Sequence, residues 1–272
     1  MKRFISVLIS ICMILLVFSG CSGPEKAEPT EQQQEETEAG GEVPEITTPE
    51  AETPDPTEPD EITGPPAIPA EGYGKYIEMK SAAYDRISAK IEENDELALS
   101  VGLGLLPVAM IDLSLIPVSV LGMEGGEAAL RMMTSDDVVI EQNGQVYSVT
   151  YTDSEGAEYK QTAEFDPAAD TLKSTVMMDG KEAIFFEYTK AGNGYASHYY
   201  TANEESNDFT LITTFFDESN ITAFGVETVS SSPESILGKT DLTSEFVVND
   251  EMYVILQDGV LTVMNEGELK TY

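Results

Sequence analysis

Apolar and polar residues alternate one by one through most of the second half of the chain. Tyr147, Val149 and Tyr151 share one face of this pattern, and the serine and threonines between them share the other. A period of two predicts half-buried β-strands, and Asp179-Gly180 and similar pairs supply hairpin turns. We predict strands at 137–142, 145–152, 157–165, 171–178, 182–189, 194–202, 208–216, 221–229, 245–248, 252–257 and 260–265.

Apolar residues recur at helical spacing ahead of these strands. Ile77, Tyr84 and Ile91 are seven residues apart, which predicts an amphipathic helix from about Tyr73 to Glu93. The sequence from Glu127 to Met133 predicts one more short helix. We therefore predict that the helices of the fold lie within residues 73–134.

An apolar segment (residues 97–123) joins the two predicted helices. It contains one charged residue, Asp112, and is interrupted by Pro107, Pro117 and three glycines. Three interpretations stay open: a membrane span, short helices buried against the sheet, or a mobile flap over an apolar cavity. Prolines ten residues apart break a continuous helix, which favours the buried helices. Since burying an isolated carboxylate is costly, we expect Asp112 at a solvent-facing edge.

Short connections make consecutive strands antiparallel neighbours in a meander. About eleven strands are too many for one flat sheet, so the sheet should curl. We predict an α+β fold in which N-terminal helices pack on a long curved antiparallel meander. This order of elements over residues 73–272 resembles the lipoprotein-carrier half-barrel fold of bacterial envelopes.

The N-terminus has the layout of a secretory signal. Two basic residues precede an unbroken apolar run, Phe4–Val17, and Ser19-Gly20-Cys21 follows. This layout resembles a bacterial lipoprotein signal, which implies a signal peptide at 1–20 and a fatty-acid anchor, such as palmitate, on Cys21. The alternatives are a non-lipidated signal or a membrane anchor, although the run is shorter than the ~20 residues that a spanning helix needs.

The composition changes abruptly after Cys21. Residues 22–72 hold ten of the 14 prolines, 15 acidic residues and one basic residue. Such a segment buries too little apolar surface to offset its chain entropy, so we predict a disordered linker over 21–72. Its ends would lie roughly 40 Å apart as a flexible coil. We assign residues 73–272 to a single globular domain.

Charge excludes some partners. The chain has a net charge of −36, and removing residues 1–20 leaves 12 basic and 50 acidic residues, a net charge of −38. We expect no nucleic-acid partner, because such binding depends on neutralising phosphates. Anionic membrane surfaces also repel the chain, so the lipid must hold it there. Cys12 lies in the signal, which leaves Cys21 alone and no internal disulfide.

The sequence offers little catalytic chemistry. His198 is the only histidine, and its neighbour Ser197 points to the opposite face of a strand, so the two cannot form a nucleophile–base pair. We interpret His198 as a half-exposed strand residue among tyrosines. One histidine cannot build a conventional zinc site. The acidic turns near Asp153, Asp217 and Asp250 are interpreted as solvated hairpin tips rather than calcium loops.

We therefore predict no catalytic, cofactor-binding or metal-binding residues and one modified residue, Cys21. The expected protein is extracytoplasmic, anchored by lipid at the outer face of a Gram-positive-type membrane, and binds without catalysis. Its expected partner is an apolar ligand in a groove between the sheet and the apolar segment, or another envelope protein. The alternatives are a structural or partner-binding protein with a fully packed core and a carboxylate-dependent hydrolase.

Overall fold

Helices come first in the described chain and strands follow. The computed structural model describes residues 65–272 except 94–96, 98–100, 102–104, 106, 109–110, 136, 154–155, 204–207, 219–220, 240 and 249–250. The predicted signal peptide, Cys21 and most of the predicted linker lie outside these residues. The described residues belong to one compact unit of the chain.

The helical part consists of α1 (Pro69–Glu92), the 3₁₀ helix η1 (Ile116–Val120) and α2 (Gly126–Met133), and the described residues of 97–114 are helical too. The strands are β1 (Val139–Asn143), β2 (Val146–Thr152), β3 (Glu158–Asp166), β4 (Thr171–Met178), β5 (Lys181–Ala191), β6 (Gly194–Ala202), β7 (Phe209–Phe216), β8 (Thr222–Val229), β9 (Met252–Gln257), β10 (Val260–Asn265) and β11 (Glu268–Thr271). A second 3₁₀ helix, η2 (Ser244–Val247), lies between β8 and β9.

All eleven strands form one antiparallel sheet in chain order. Each strand pairs with its neighbours in sequence, and β1 and β11 are the two edges of an unclosed sheet. This confirms the predicted α+β meander. Tight turns set the register: Asp179 and Gly180 both have positive φ, which matches the twist of the strands that they join. In the β5–β6 hairpin the turn residues are Gly192-Asn193, one position earlier than the Asn-Gly pair suggests.

Helix α1 runs across the strands. Near its start Gly72 lies against a phenyl ring of β3, Tyr76 Oη bonds to Ser197 of β6, and Arg86 Nη2 donates to Thr222 Oγ1 of β8. The helix rises about 21 Å between Gly72 and Arg86. The distance from β3 to β8 is about 24 Å at the usual strand spacing. One helix therefore covers six strands on what we call the inner face.

The start of α1 corrects two predictions. The helix begins at Pro69, four residues before the predicted start, so residues 69–72 are helical and are not part of a linker. Proline suits the first turn of a helix because its missing N–H has no partner there in any case. Ala70 is buried, and its N–H donates to the Leu121 carbonyl at 3.2 Å.

The apolar segment packs beside α1 on the inner face. Its buried side chains join the same core as α1 and strands β2–β10, which confirms the interpretation as buried helices for its described residues. No helix among the described residues has the length and apolar character to cross a membrane. The buried side chains are Leu97, Val101, Leu105, Val108, Ile111, Leu115, Val118 and Leu121.

Part of the opposite, outer face is covered by an outer segment (residues 230–248 except 240). Ile236 and Val247 of this segment are buried in a second core with Ala196 of β6. Residues of both faces of β6 are therefore buried, with Ser197 facing α1 and His198 facing the outer segment. The alternating sequence pattern does not predict burial on both faces of the sheet, because it predicts one face in contact with solvent.

The strand prediction has one false and one missing element. Residues 245–248 are predicted as a strand, but residues 244–247 form η2, because Thr243 Oγ1 accepts the Glu245 N–H at 3.3 Å and starts a helical turn. The missing strand is β11, which pairs with β10 after the Glu266-Gly267 turn.

Gly72 and Gly74 give a matched test of how α1 packs. A Cβ on Gly72 would lie 2.5 Å from Phe165 and 2.6 Å from Tyr188 Oη, whereas nothing lies within 4 Å of one on Gly74. We expect Gly72→Ala to lower the free energy of unfolding by about 1–3 kcal/mol through overpacking. Gly74→Ala should raise it by about 0.5–1 kcal/mol through helix propensity. Urea unfolding measures both, and equal effects would contradict the close approach at Gly72.

Candidate functional site

Aromatic side chains fill the interface between α1 and the central strands. Tyr76 is fully buried and stacks on Tyr188, with ring centroids 5.0 Å apart and planes at 8°. Phe186 and Phe216 meet the same ring at 5.5 and 5.4 Å. Side chains of the chain itself therefore fill the interface between this part of α1 and the central strands.

The hydroxyl groups in this interface have partners. Tyr76 Oη bonds to Ser197 Oγ at 2.9 Å, and Ser197 Oγ lies 2.6 Å from Thr214 Oγ1. Tyr195 donates to buried Asp170 at 2.8 Å, and Tyr188 reaches the other oxygen of that carboxylate at 3.4 Å. Burial raises the pKa of Tyr76 and Tyr188 above that of free tyrosine, so both phenols stay neutral. These contacts satisfy buried polar groups and stabilise the core.

Lys80 and Asp112 form the charged contact between α1 and the apolar segment. Lys80 is only 3 % exposed, and its Nζ donates to Asp112 Oδ1 and to the Val108 carbonyl, each at 2.7 Å. Burial lowers the pKa of Lys80, while the charge of Asp112 opposes that shift. A surface cleft of about 140 Å³ borders the pair, and Tyr84 and Asp85 of α1 also line it.

The expectation of Asp112 at a solvent-facing edge is therefore incomplete. One third of the side chain is exposed, but its carboxylate also neutralises a buried ammonium group. An Asp112→Leu change, which an edge position would tolerate, leaves that ammonium group without a counter-charge.

His198 lies in the outer core rather than half-exposed as predicted. It is 6 % exposed because the outer segment covers it, and its ring stacks on Phe246 with centroids 4.8 Å apart. Its Nδ1 lies 3.8 Å from the Glu187 carboxylate and has no hydrogen-bond partner. Ser197 lies on the other face, as predicted, so the two side chains form no catalytic pair.

Glu187 fixes the outer segment to the sheet. The carboxylate of this fully buried residue accepts hydrogen bonds from Ser235 Oγ at 2.8 Å and from the Ile236 N–H at 2.7 Å. The bonds run from β5 to the loop ahead of η2. Glu187 and His198 together therefore position the segment that ends beside β9.

Two aspartates of the acidic turns accept hydrogen bonds from backbone N–H groups of their own turns. Asp153 Oδ1 accepts the Ala157 N–H at 2.9 Å, and Asp217 Oδ1 accepts the Ile221 N–H at the same distance. Among the residues that the structure describes, no three acidic, histidine or cysteine side chains are grouped to hold a metal ion. Asp250 lies outside those residues.

An open groove of about 450 Å³ lies on the outer face near the end of the chain. Its floor is formed by outward-facing residues of β9 and β10, and η2 with Val248 forms its wall. Val248 and Val260 are exposed apolar residues in it. We call this site the outer groove, and its lining residues are Ser244, Glu245, Val248, Tyr253, Ile255, Gln257, Asp258, Val260 and Thr262.

The sequence reasoning missed the outer groove, although a signal for it exists. The sequence Tyr253-Val254-Ile255-Leu256 is apolar at every position. A strand with one wet face alternates, so an unbroken apolar run indicates that both faces are in use. Val254 and Leu256 face the inner core, which leaves Tyr253 and Ile255 for the outer face.

Comparison with protein-family models, with curated proteins and with solved structures found no match for this chain.

Removing the carboxylate of Asp112 should destabilise the fold. Asp112→Leu leaves the Lys80 ammonium group buried and unpaired, and we expect the free energy of unfolding to fall by about 3 kcal/mol, the low end for a broken buried pair because Asp112 is partly exposed. Adding Lys80→Met should recover much of this loss. Asp85→Asn, at an exposed position of the same cleft, should change stability by under about 0.5 kcal/mol. Urea unfolding measures these changes. An unchanged free energy of unfolding for Asp112→Leu would show that the fold does not need the ion pair.

His198 should make stability depend on pH. Burial, with a smaller effect of Lys239, lowers its pKa to about 4. An unfolded histidine titrates near 6.5, so between these values the unfolded chain binds the extra proton and stability falls as the pH decreases. From pH 7.5 to 5.5 this histidine should account for a loss of about 1.4 kcal/mol. His198→Phe keeps the stack on Phe246 and should lack that loss, whereas an unchanged pH slope in urea unfolding would contradict the burial.

Proposed function

We propose that the protein is a lipid-anchored extracytoplasmic lipoprotein whose folded domain binds another envelope protein without catalysing a reaction. The lipoprotein-type signal that ends at Cys21 supports the anchor, and the acidic proline-rich composition that follows supports a spacer. Together they hold the domain away from the outer face of a Gram-positive-type membrane.

The contrast between the two faces of the sheet carries this proposal. Under α1 the inner face is filled by Tyr76 and its aromatic neighbours, which favours a packed core over an enclosed apolar ligand. The outer groove, in contrast, is open and has exposed valines on its floor and wall. An open, partly apolar surface with a polar rim suits a protein partner.

The surroundings of the titratable groups support binding without catalysis. His198 is stacked in the outer core, and the Lys80 ammonium group is already held by a carboxylate and a carbonyl oxygen. Both side chains have structural partners and little contact with solvent. A catalytic base needs access to a substrate proton, which neither position offers.

A curved, half-barrel-like sheet is part of the proposal. Eleven twisted strands in one sheet favour curling. The helix that crosses six of them suits the concave side of such a sheet. In this arrangement the outer groove lies on the convex side, where it faces possible partners.

Site-specific photocrosslinking on intact cells tests the proposal. A photoreactive amino acid replaces Val260 in the outer groove or, as the control, Val139 at the opposite end of the sheet. These valines are 46 % and 47 % exposed, so probe accessibility is matched. We expect a discrete protein adduct from position 260 at several times the yield from position 139, because only the groove holds a partner.

The Cys21→Ser variant tests the lipid anchor in the same experiment. The variant should lose fatty-acid labelling, enter the medium and lose the adduct. Continued labelling would contradict the anchor, and equal adducts from both positions would contradict a partner in the outer groove. Native mass spectrometry of the secreted Cys21→Ser chain should show no non-covalently bound lipid, and a bound lipid would favour the apolar-ligand alternative.

A further inference from the structure

We propose that the outer groove binds an extended, cationic segment of a partner protein, whose apolar side chains lie on the valine floor and whose lysines or arginines meet the acidic rim. This inference rests on the proposed function and adds the chemistry of the partner.

The floor of the groove supplies the apolar half of the recognition. Ile255 and Val260 face outward from β9 and β10, and Val248 faces them from the wall. The strip continues onto β11, where exposed Leu269 stands opposite Met264 in the register and therefore on the same face. From Tyr253 to Gln257 the floor is about 13 Å long at the rise of a strand. That length fits about four residues of an extended chain.

The rim supplies the charge. Glu245 and Asp258 line the groove, and no lysine or arginine lines it in the described part of the chain. Residues 241–272 contain seven acidic residues and one lysine. That lysine, Lys270, is paired with Val263 in the register, and Val263 points into the inner core, so the lysine is directed away from the groove face.

Like charges are also close together beyond one end of the floor. Glu227 follows the Val226–Met252 pair on β8, which places it opposite Glu251, the residue just before β9. Burial and then the charge of Glu251 raise the pKa of Glu227. A cationic side chain bound there would relieve this repulsion.

The same charges exclude other occupants. A second copy of the chain carries −38 after signal removal, and residues 22–68 ahead of α1 hold 14 acidic residues and one lysine, so both are repelled. An anionic membrane surface is repelled for the same reason. Strand addition at the edge is also disfavoured, because β11 is a short strand that carries Glu268 and Lys270. A positively charged protein segment on the face of the sheet is the occupant that remains.

Two fluorescent decapeptides test the inference on the complete mature chain with Cys21→Ser. One alternates lysine with valine, and the other alternates lysine with serine. Both carry the same charge, so nonspecific attraction to the acidic chain is equal. At 150 mM salt we expect the lysine–valine peptide to bind at least tenfold more tightly in fluorescence anisotropy, because only its valines bury apolar surface in the groove. Equal affinities would overturn the inference.

Matched variants locate the binding. Val260→Lys should lower the affinity for the lysine–valine peptide at least tenfold. Val139→Lys makes the same change in charge at a residue of nearly equal exposure, and it should change this affinity less than twofold. Asp258→Asn should weaken binding about threefold, and Asp179→Asn, at another turn aspartate with positive φ, should not. Circular dichroism confirms that each variant is folded. Equal losses of affinity in the groove variants and their controls would show that the peptide does not bind in the outer groove.

The crosslinking experiment separates this inference from the proposed function. An adduct at position 260 combined with no preference for the lysine–valine peptide would overturn the cationic partner while the proposed function stands. A dimer of the chain in sedimentation, lost on Val260→Lys, would make the occupant a second copy and would also overturn the inference.

Discussion

The ring of Tyr76 lies between α1 and the middle of the sheet, where it stacks on Tyr188 and its hydroxyl bonds to Ser197. Both halves of the side chain constrain the helix. A rotation or shift of α1 by one turn would expose the ring and leave a buried hydroxyl unpaired. Because one residue meets both needs, α1 has one position across the strands, and the inner face is closed where Tyr76 sits.

The outer face has a different arrangement. The outer segment covers the middle of the sheet, held by the hydrogen bonds from Ser235 and Ile236 to Glu187 and by the stack of Phe246 on His198. Its wall ends at Val248, beside outward residues of β9 and β10, which line an open groove. Residues buried deep in β5 and β6 thus determine the shape of a surface some strands away.

The sequence predicted the elements better than their packing. Alternation and turn residues identified ten strands, since both signals are local, and the helical period identified α1. The cap of Thr243 on residue 245 turned a predicted strand into η2, and Pro69 moved the helix start. The pairs Lys80–Asp112 and Glu187–Ile236 join residues 32 and 49 positions apart, and no local pattern records them. The outer groove was missed for the same reason, because its wall and floor come from separate elements.

The crossing of the sheet by α1 has a consequence for the order of assembly. Short loops join the strands of the meander except between β8 and β9, so each hairpin with a short loop can form as soon as its two strands are available. The contacts of α1 are different: Tyr76 meets Ser197 after 121 residues, and Arg86 meets Thr222 after 136. The first element of the domain to be synthesised therefore has to wait for strands made much later. Until β8 is in place, the apolar side of α1 has no sheet to bury it, and this interval is when the chain is most exposed to misfolding and proteolysis.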